Sequence, residues 1–579
     1  MRFIALLLAI LFATRIDESE SYQEIVLDPL FQIPVNASTL KYNCCDLQSM
    51  LSSQTDSGTP VNEGKVSELL VFWGKLVAHD ISRFASEIQP IGPQNNCSAL
   101  ASDDGNSTKS LVTPALDAGF VYGDDDEMAR QFRENNGALC ELRLVDGDIP
   151  KQCNPIGSTD KFHNVNNTAA DVPCTADPRA SESLQMLALQ TLLVNEHNRL
   201  CKSERKKLKG KPEDVIFAKT RRRLIALVQK ISLYEWLPAL TNRFPEEATI
   251  PKYSIYQDAM RIPAFHDVKH AIAPGATSRV EITRALFRIF DYMHGHKVTF
   301  VDPTMRVLEI PFLEGVFEPD NMYAGFANGH RTYCDVIYGM MQTPAGRLGP
   351  TNTPDKACAG ANMTTFMALQ NTILSNFSAL PFRDVGELQK IVSLTDITES
   401  PIYIDFLQTL YSSGDIASSV DLLLGFLVET HGPIEKDIIG PLARFLFVLQ
   451  MTSFTRDFDT MWYERVLSKD VIDHINNEDG IFHLVQRHCP RFVNTKKFNS
   501  PFHTIQHEAS ESLYTGTTVD GNNGVFSTGS SSSSSQSSFT TTANTTSLIL
   551  FICIIAILTI ILFVLLFYVL RQNDNKKKA

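Results

Sequence analysis

The feature that most constrains this chain is an uninterrupted apolar run near its C-terminus. Residues 547–570 read SLILFICIIAILTIILFVLLFYVL and contain no charge. At about 1.5 Å of rise per residue, a helix of this length crosses a hydrocarbon core of about 30 Å. The tail that follows, residues 571–579, carries Arg571 and Lys576 to Lys578. Basic residues prefer the cytoplasmic side, so the body of the chain is expected outside. A lipid-anchor signal also ends in an apolar tail, but is not followed by a charged segment of this kind. At the other end, Arg2 precedes FIALLLAILFA, too short a run to span and typical of a secretory signal peptide, assigned to residues 1–19. A buried N-terminal helix is the alternative there. The topology read from the two ends is a single-pass type I cell-membrane protein with an extracellular ectodomain.

The rest of the sequence suits that compartment. Of the 11 cysteines, all but Cys553 lie before the span, and an even number in an oxidising environment points to disulfides. Sequons at Asn36, Asn96, Asn106, Asn166, Asn362, Asn376 and Asn544 fit a glycosylated surface. The net charge of -13 argues against nucleic acid as a partner. Residues 506–546, rich in Ser, Thr and Gly, cannot bury a core and read as a stalk. Residues 20–505 show neither a low-complexity break nor a repeat. Apolar residues recur there at helical spacing over 183–201, 223–240, 284–293 and 422–451. The expected fold class is mainly α: one large helical domain with little β, followed by one transmembrane helix.

Four segments carry chemistry, each with a plainer reading beside it. VFWGKLVAHDISRF contains His79 and Asp80; a histidine on an apolar stretch is commonly structural. LVTPALDAGFVYG offers oxygen donors at Thr113 and Asp117 before a tight turn. Calcium takes six to eight oxygen ligands, although an ordinary surface turn has the same composition. ADPRASE sets Arg179 and Glu182 three apart, on one face if a helix starts there. They equally suit a surface ion pair, with Asp177 as a cap. The fourth segment is EITRALFRIFDYMHGHK.

Taken in order, with WGKLVAHD, LDAGFVYG, DPRASE…LLVNEHNRL and GPLARFLFVLQMTSFTRDFDTMWYER, these phrases resemble the animal haem peroxidases over roughly residues 25–500. The resemblance implies haem b and calcium as cofactors and hydrogen peroxide as oxidant. His79 matches the distal histidine that moves a proton between the peroxide oxygens. Arg179 matches the distal arginine that stabilises charge on the departing oxygen. Glu182 matches the carboxylate esterified to the haem edge. Asp80, Thr113 and Asp117 match side-chain calcium ligands, with Ala115 and Gly119 offering backbone oxygen; the family has serine at Gly119.

Several positions depart from the family pattern. Lys75 stands where the family has Gln, and Ala78 where it has the Asp of a second haem ester. The family's proximal phrase Phe-Arg-Phe-Gly-His aligns with Phe287 to Asp291, which sets Asp291 at the iron-binding position. A carboxylate is a poor sole axial ligand. His294 follows three residues on and a register shift would bring it toward the iron, with Asp291 as its hydrogen-bond partner. Arg288 is kept as a propionate partner. Asn362 aligns with the partner of the proximal histidine, yet it is also a sequon. Two functions follow as expectations. The first is a haem peroxidase oxidising phenolic, tyrosyl or halide donors at the cell surface, fed by an oxidase partner or acting on surface tyrosines. The second is a catalytically impaired ectodomain serving as a binding or partner module.

Overall fold

A computed structural model describes residues 66–82, 112, 115–123, 126–144, 175–177, 179–180, 183–241, 281–293, 297–301, 307–311, 332–349, 365–377, 388–411, 414–430, 437–453, 462–478, 480–490 and 501–503. All of them belong to one compact unit, Met1–Thr515. The signal peptide 1–19, stalk 506–546, membrane helix 547–570 and tail 571–579 expected above lie outside the described residues. Among the described residues no helix is long and apolar enough to cross a membrane.

The architecture is mainly helical. The longer elements are α1 (Glu68–Ile81), α2 (Leu184–Lys207), α3 (Glu213–Ile231), α4 (Glu281–Arg288), β1 (Lys297–Val301), β2 (Val307–Pro311), α5 (Tyr333–Gln342), α6 (Phe366–Phe377), α7 (Pro401–Leu410), α8 (Leu422–Val428), α9 (Pro441–Ser453), α10 (Lys469–Glu478) and α11 (Ile481–His488). The two strands pair antiparallel, from Lys297 opposite Pro311 to Val301 opposite Val307, and form the one sheet among the described residues.

α1 is buried on almost every side, which marks it as a helix threaded through the core rather than laid on it. It packs against α2, α4 and α5. α2 starts where the Ser183 side chain accepts the Met186 N–H, satisfying one orphan donor of the first turn. It ends in Arg205, Lys206 and Lys207, a charge order that suits the negative end of the helix dipole. α3 runs on through one wider, π-type turn, Ser232–Trp236, into Leu237–Thr241. Two buried hydrogen bonds join that turn to α1: Trp73 Nε1 donates to Ser232 Oγ at 3.0 Å and Trp236 Nε1 to the Leu70 carbonyl at 2.9 Å. α5 lies across β1 so closely that any side chain at Gly339 would collide with the Thr299 carbonyl.

The helical patterns over 183–201, 223–240 and 284–293 correspond to α2, to α3 with its extension, and to α4 with the 3-10 turn Ile289–Tyr292. The pattern over 422–451 is interrupted, because α8 ends at Val428 and a new helix opens on Pro441. Proline lacks the N–H that a continuous helix requires, but suits a first turn. Glu429 stabilises the restart by accepting the Leu442 N–H at 2.8 Å. The expected disulfides appear as Cys140–Cys201 and Cys334–Cys489.

Candidate functional site

Helical geometry puts Lys75, Ala78 and His79 on one face of α1, at spacings of three and four. His79 is 6% exposed and Asp80, one residue on, is 1% exposed. The two point to different neighbours. Asp80 turns to the loop before Phe120, where its carboxylate accepts the N–H of Ala118 at 3.0 Å and of Gly119 at 2.6 Å. Asp117 accepts the same Gly119 N–H at 3.1 Å. Ala118 takes a left-handed backbone (φ 59) to make that turn. Burial pushes the Asp80 carboxyl well above its usual range, and the neighbouring Asp117 adds to the effect.

Two carboxylates converging in a buried loop form a donor set that a cation would relieve. A Cβ built on Gly119 would lie 3.3 Å from Asp117 Oδ1 and 3.4 Å from Asp80 Oδ1, so a serine there would aim its hydroxyl between them. These residues therefore fit a hard cation such as calcium, with Asp80 and Asp117 as its side-chain ligands. Ala115 is buried beside them in sequence; Thr113 lies outside the described residues.

Arg179 does not begin the long helix. It sits in a short turn with Ala180 before Ser183 caps α2. Asp177 is the reason: its carboxylate accepts the Arg179 N–H at 2.9 Å and the guanidinium at 2.7 to 3.2 Å. The guanidinium also donates to the carbonyls of Ser82 at 2.7 Å and His79 at 2.8 Å. The side chains are 6% and 1% exposed. The expected helical start at Arg179 thus gives way to an Arg179–Asp177 pair that clasps the end of α1; Glu182 lies outside the described residues. His79 is held far below the usual histidine range, at about 3, by burial first and by the Arg179 charge second. Its Nδ1 finds no hydrogen-bond partner among the described residues. It is a neutral imidazole with little appetite for a proton.

Asp291 lies in the turn after α4. Lys75 Nζ lies 2.8 Å from Asp291 Oδ1, and Arg288 Nε lies 3.8 Å from the other carboxylate oxygen. His294 and Asn362 lie outside the described residues. Just before Asp291, the Phe290 ring rests on α1 at Gly74, where a Cβ would lie 2.6 to 2.8 Å from three ring carbons. The same ring packs against Trp236, Phe287 and Phe447 with centroids 5.6 to 6.1 Å apart.

This geometry tests the haem expectation. By the resemblance, His79 belongs to one face of the ring and Asp291 to the other, and helix spacing sets Lys75 on the His79 face of α1. A flat carbon macrocycle needs about 3.5 Å to non-bonded groups on each face, which sets those groups about 7 Å apart. An ion pair of 2.8 Å across the same gap leaves no room for the ring. The described residues do not fit a haem in this arrangement.

The sequence reading missed three residues: Asp177 as the partner of Arg179, Lys75 as the partner of Asp291, and Phe290 as the filler between α1 and the turn after α4. A signal for the second existed. Lys75 and Asp291 are both departures from the family pattern and carry opposite charge, which is how a compensating pair reads. Cys140, His197 and Cys201 bring possible metal donors within 4.8 Å of one another. Their sulfurs are joined as a disulfide, so neither offers the thiolate that binds metal.

Comparison with known proteins places these features. Residues 102–357 match the family model described as Animal haem peroxidase. A peroxidasin homolog of Caenorhabditis briggsae is 25% identical over 384 residues, covering 62% of this chain and 27% of the relative. Human myeloperoxidase is 28% identical over 251 residues, covering 41% of this chain and 30% of its own length. Human lactoperoxidase is 24% identical over 370 residues, covering 61% of this chain and 49% of its own. The chain thus spans about a quarter of the peroxidasin relative and about half of lactoperoxidase. Among solved structures, peroxidase A of Dictyostelium discoideum superposes with a TM-score of 0.54 at 16% identity, over 80% of this chain and 94% of that one. This last likeness speaks for the fold alone. Over residues 102–357 in sequence, the chain is similar to the animal haem peroxidases, a family whose members bind haem iron.

Proposed function

We propose that this protein is a peroxidase-like ectodomain, displayed at the cell surface by its C-terminal span, that acts as a binding or partner module and not as a peroxide-consuming enzyme. The observation that carries this reading is the Lys75–Asp291 ion pair, which joins the two sides between which the family holds its haem. The proton chemistry points the same way. A useful general base titrates near the working pH, whereas His79 is held at about 3. An electrostatic stabiliser must aim donors at the developing charge, whereas the Arg179 guanidinium is engaged by Asp177 and two backbone carbonyls. Asp80 and Asp117 would hold a calcium ion that braces the loop against α1, a structural role that survives the loss of turnover. The partner on this reading is an extracellular protein, and a peroxide-producing oxidase is one candidate by analogy with the family.

The other reading remains a surface peroxidase that reduces hydrogen peroxide and oxidises phenolic, tyrosyl or halide donors. What favours it is the retention of His79 beside Arg179, with His294 as the residue that would hold iron. Detergent-solubilised full-length protein, produced with haemin in the medium, separates the two. The expected result is a preparation without a Soret band that leaves a phenolic dye unoxidised when peroxide is added. A Soret-absorbing protein that oxidises the dye would overturn the proposal.

A further inference from the structure

Resting on that reading, we infer that the cofactor slot is closed from within: the Lys75–Asp291 ion pair and the Phe290 ring tie α1 to the turn after α4 in place of a prosthetic group, so the chain folds without one. Two features meet at this spot. Lys75 and Asp291 stand where the family has Gln and His, and together they replace a neutral amide and a metal ligand with a charge-compensated bridge. Phe290 stands where the family has Gly, and its ring takes the room beside Gly74 that a small residue would leave open. The ring is not merely inserted. It belongs to an aromatic cluster with Trp236, Phe287 and Phe447, in the distance range at which such rings attract beyond their area burial.

Gly74 tolerates no side chain while Phe290 is in place. The bridge is partly shielded, with Lys75 11% and Asp291 33% exposed, and Arg288 stands behind the same carboxylate. An exposed ion pair contributes little.

A double-substitution cycle and a haemin titration of the full-length protein test this. Lys75→Met and Asp291→Asn should each lower the melting temperature, and the double variant should fall no further than the worse single one. Strictly additive losses would show that no bridge operates. Haemin added to the wild-type protein should produce no Soret band and no rise in melting temperature. A variant that reverses the closure, Lys75→Gln with Phe290→Gly and Asp291→His, should take up haemin with a Soret band. Stoichiometric haemin uptake by the wild type would overturn the inference of a closed slot. If that haem complex were inert to peroxide, the non-catalytic reading would stand without it; if it oxidised phenols, both would fall. The substitution cycle keeps the test decisive should the triple variant fail to fold.

Discussion

Removing the Asp177 carboxylate should expose how firmly Arg179 is committed to structure. Asp177 is 1% exposed and accepts four hydrogen bonds from Arg179, one from its backbone N–H and three from the guanidinium. Burial by itself would push this carboxyl up. The Arg179 charge and its hydrogen bonds outweigh burial and hold it below the usual carboxylate range. Asp177→Ala leaves a buried guanidinium half-paired, and breaking a buried pair in this way costs about 3–5 kcal/mol. Unfolding entropy near the midpoint is about 2.1 cal/mol/K per residue, hence about 1 kcal/mol/K for a unit of about 500 residues. The melting temperature should therefore fall by about 3–5 °C, read by calorimetry on the full-length protein. The double variant Asp177→Ala with Arg179→Met should recover part of that loss, since it no longer strands a charge. The sign of the pH dependence follows. A carboxyl whose folded pKa is depressed contributes stability above its unfolded value, about 4, and that contribution fades as pH falls below it. An unchanged melting temperature in Asp177→Ala would refute the reasoning and free Arg179 for chemistry.

Calcium should raise the melting temperature of the wild-type protein, and the rise should vanish in Asp80→Asn with Asp117→Asn; equal rises in both proteins would remove the loop as the binding site. Glu429 is pushed up to about 8 by burial, against the pull of the Leu442 and Ala443 N–H groups and of Arg444. Its folded form holds a proton that the unfolded chain releases near 4.5, so this group costs stability progressively as pH rises from about 4.5 to about 8. Glu429→Gln should accordingly gain on the order of 2 kcal/mol over wild type at pH 8 and little at pH 5, measured by denaturant midpoints. The Cys334–Cys489 bridge closes a separation of 155 residues. Replacing both cysteines with Ser should cost about 2–5 kcal/mol, seen as a melting temperature that no longer responds to a thiol reductant at that bridge.

Much of the fold was legible because helices announce themselves locally. The apolar spacing of 183–201 becomes α2, and Ser183 before it supplies the cap that fixes its start. The break within 422–451 was also written in the text, at Gly440 and Pro441, but was overridden by the strength of the apolar run on either side. Arg179 was misread for a related reason. Three-residue spacing implies a shared face only if a helix is already present, and Asp177 captures the Arg179 N–H in a local turn before the helix can begin.

The sequence by itself determined the helical class and the pairing potential of the cysteines. Those follow from periodicity and composition, which act over a few residues. Only the tertiary structure decided that Lys75 meets Asp291 across 216 positions, that Phe290 lies on Gly74, and that the Arg179 guanidinium is engaged by Asp177 and by the end of α1. Contacts between distant elements depend on how closely two helices pack, and here the filling of a space a few ångströms wide separates a slot for a cofactor from a closed core.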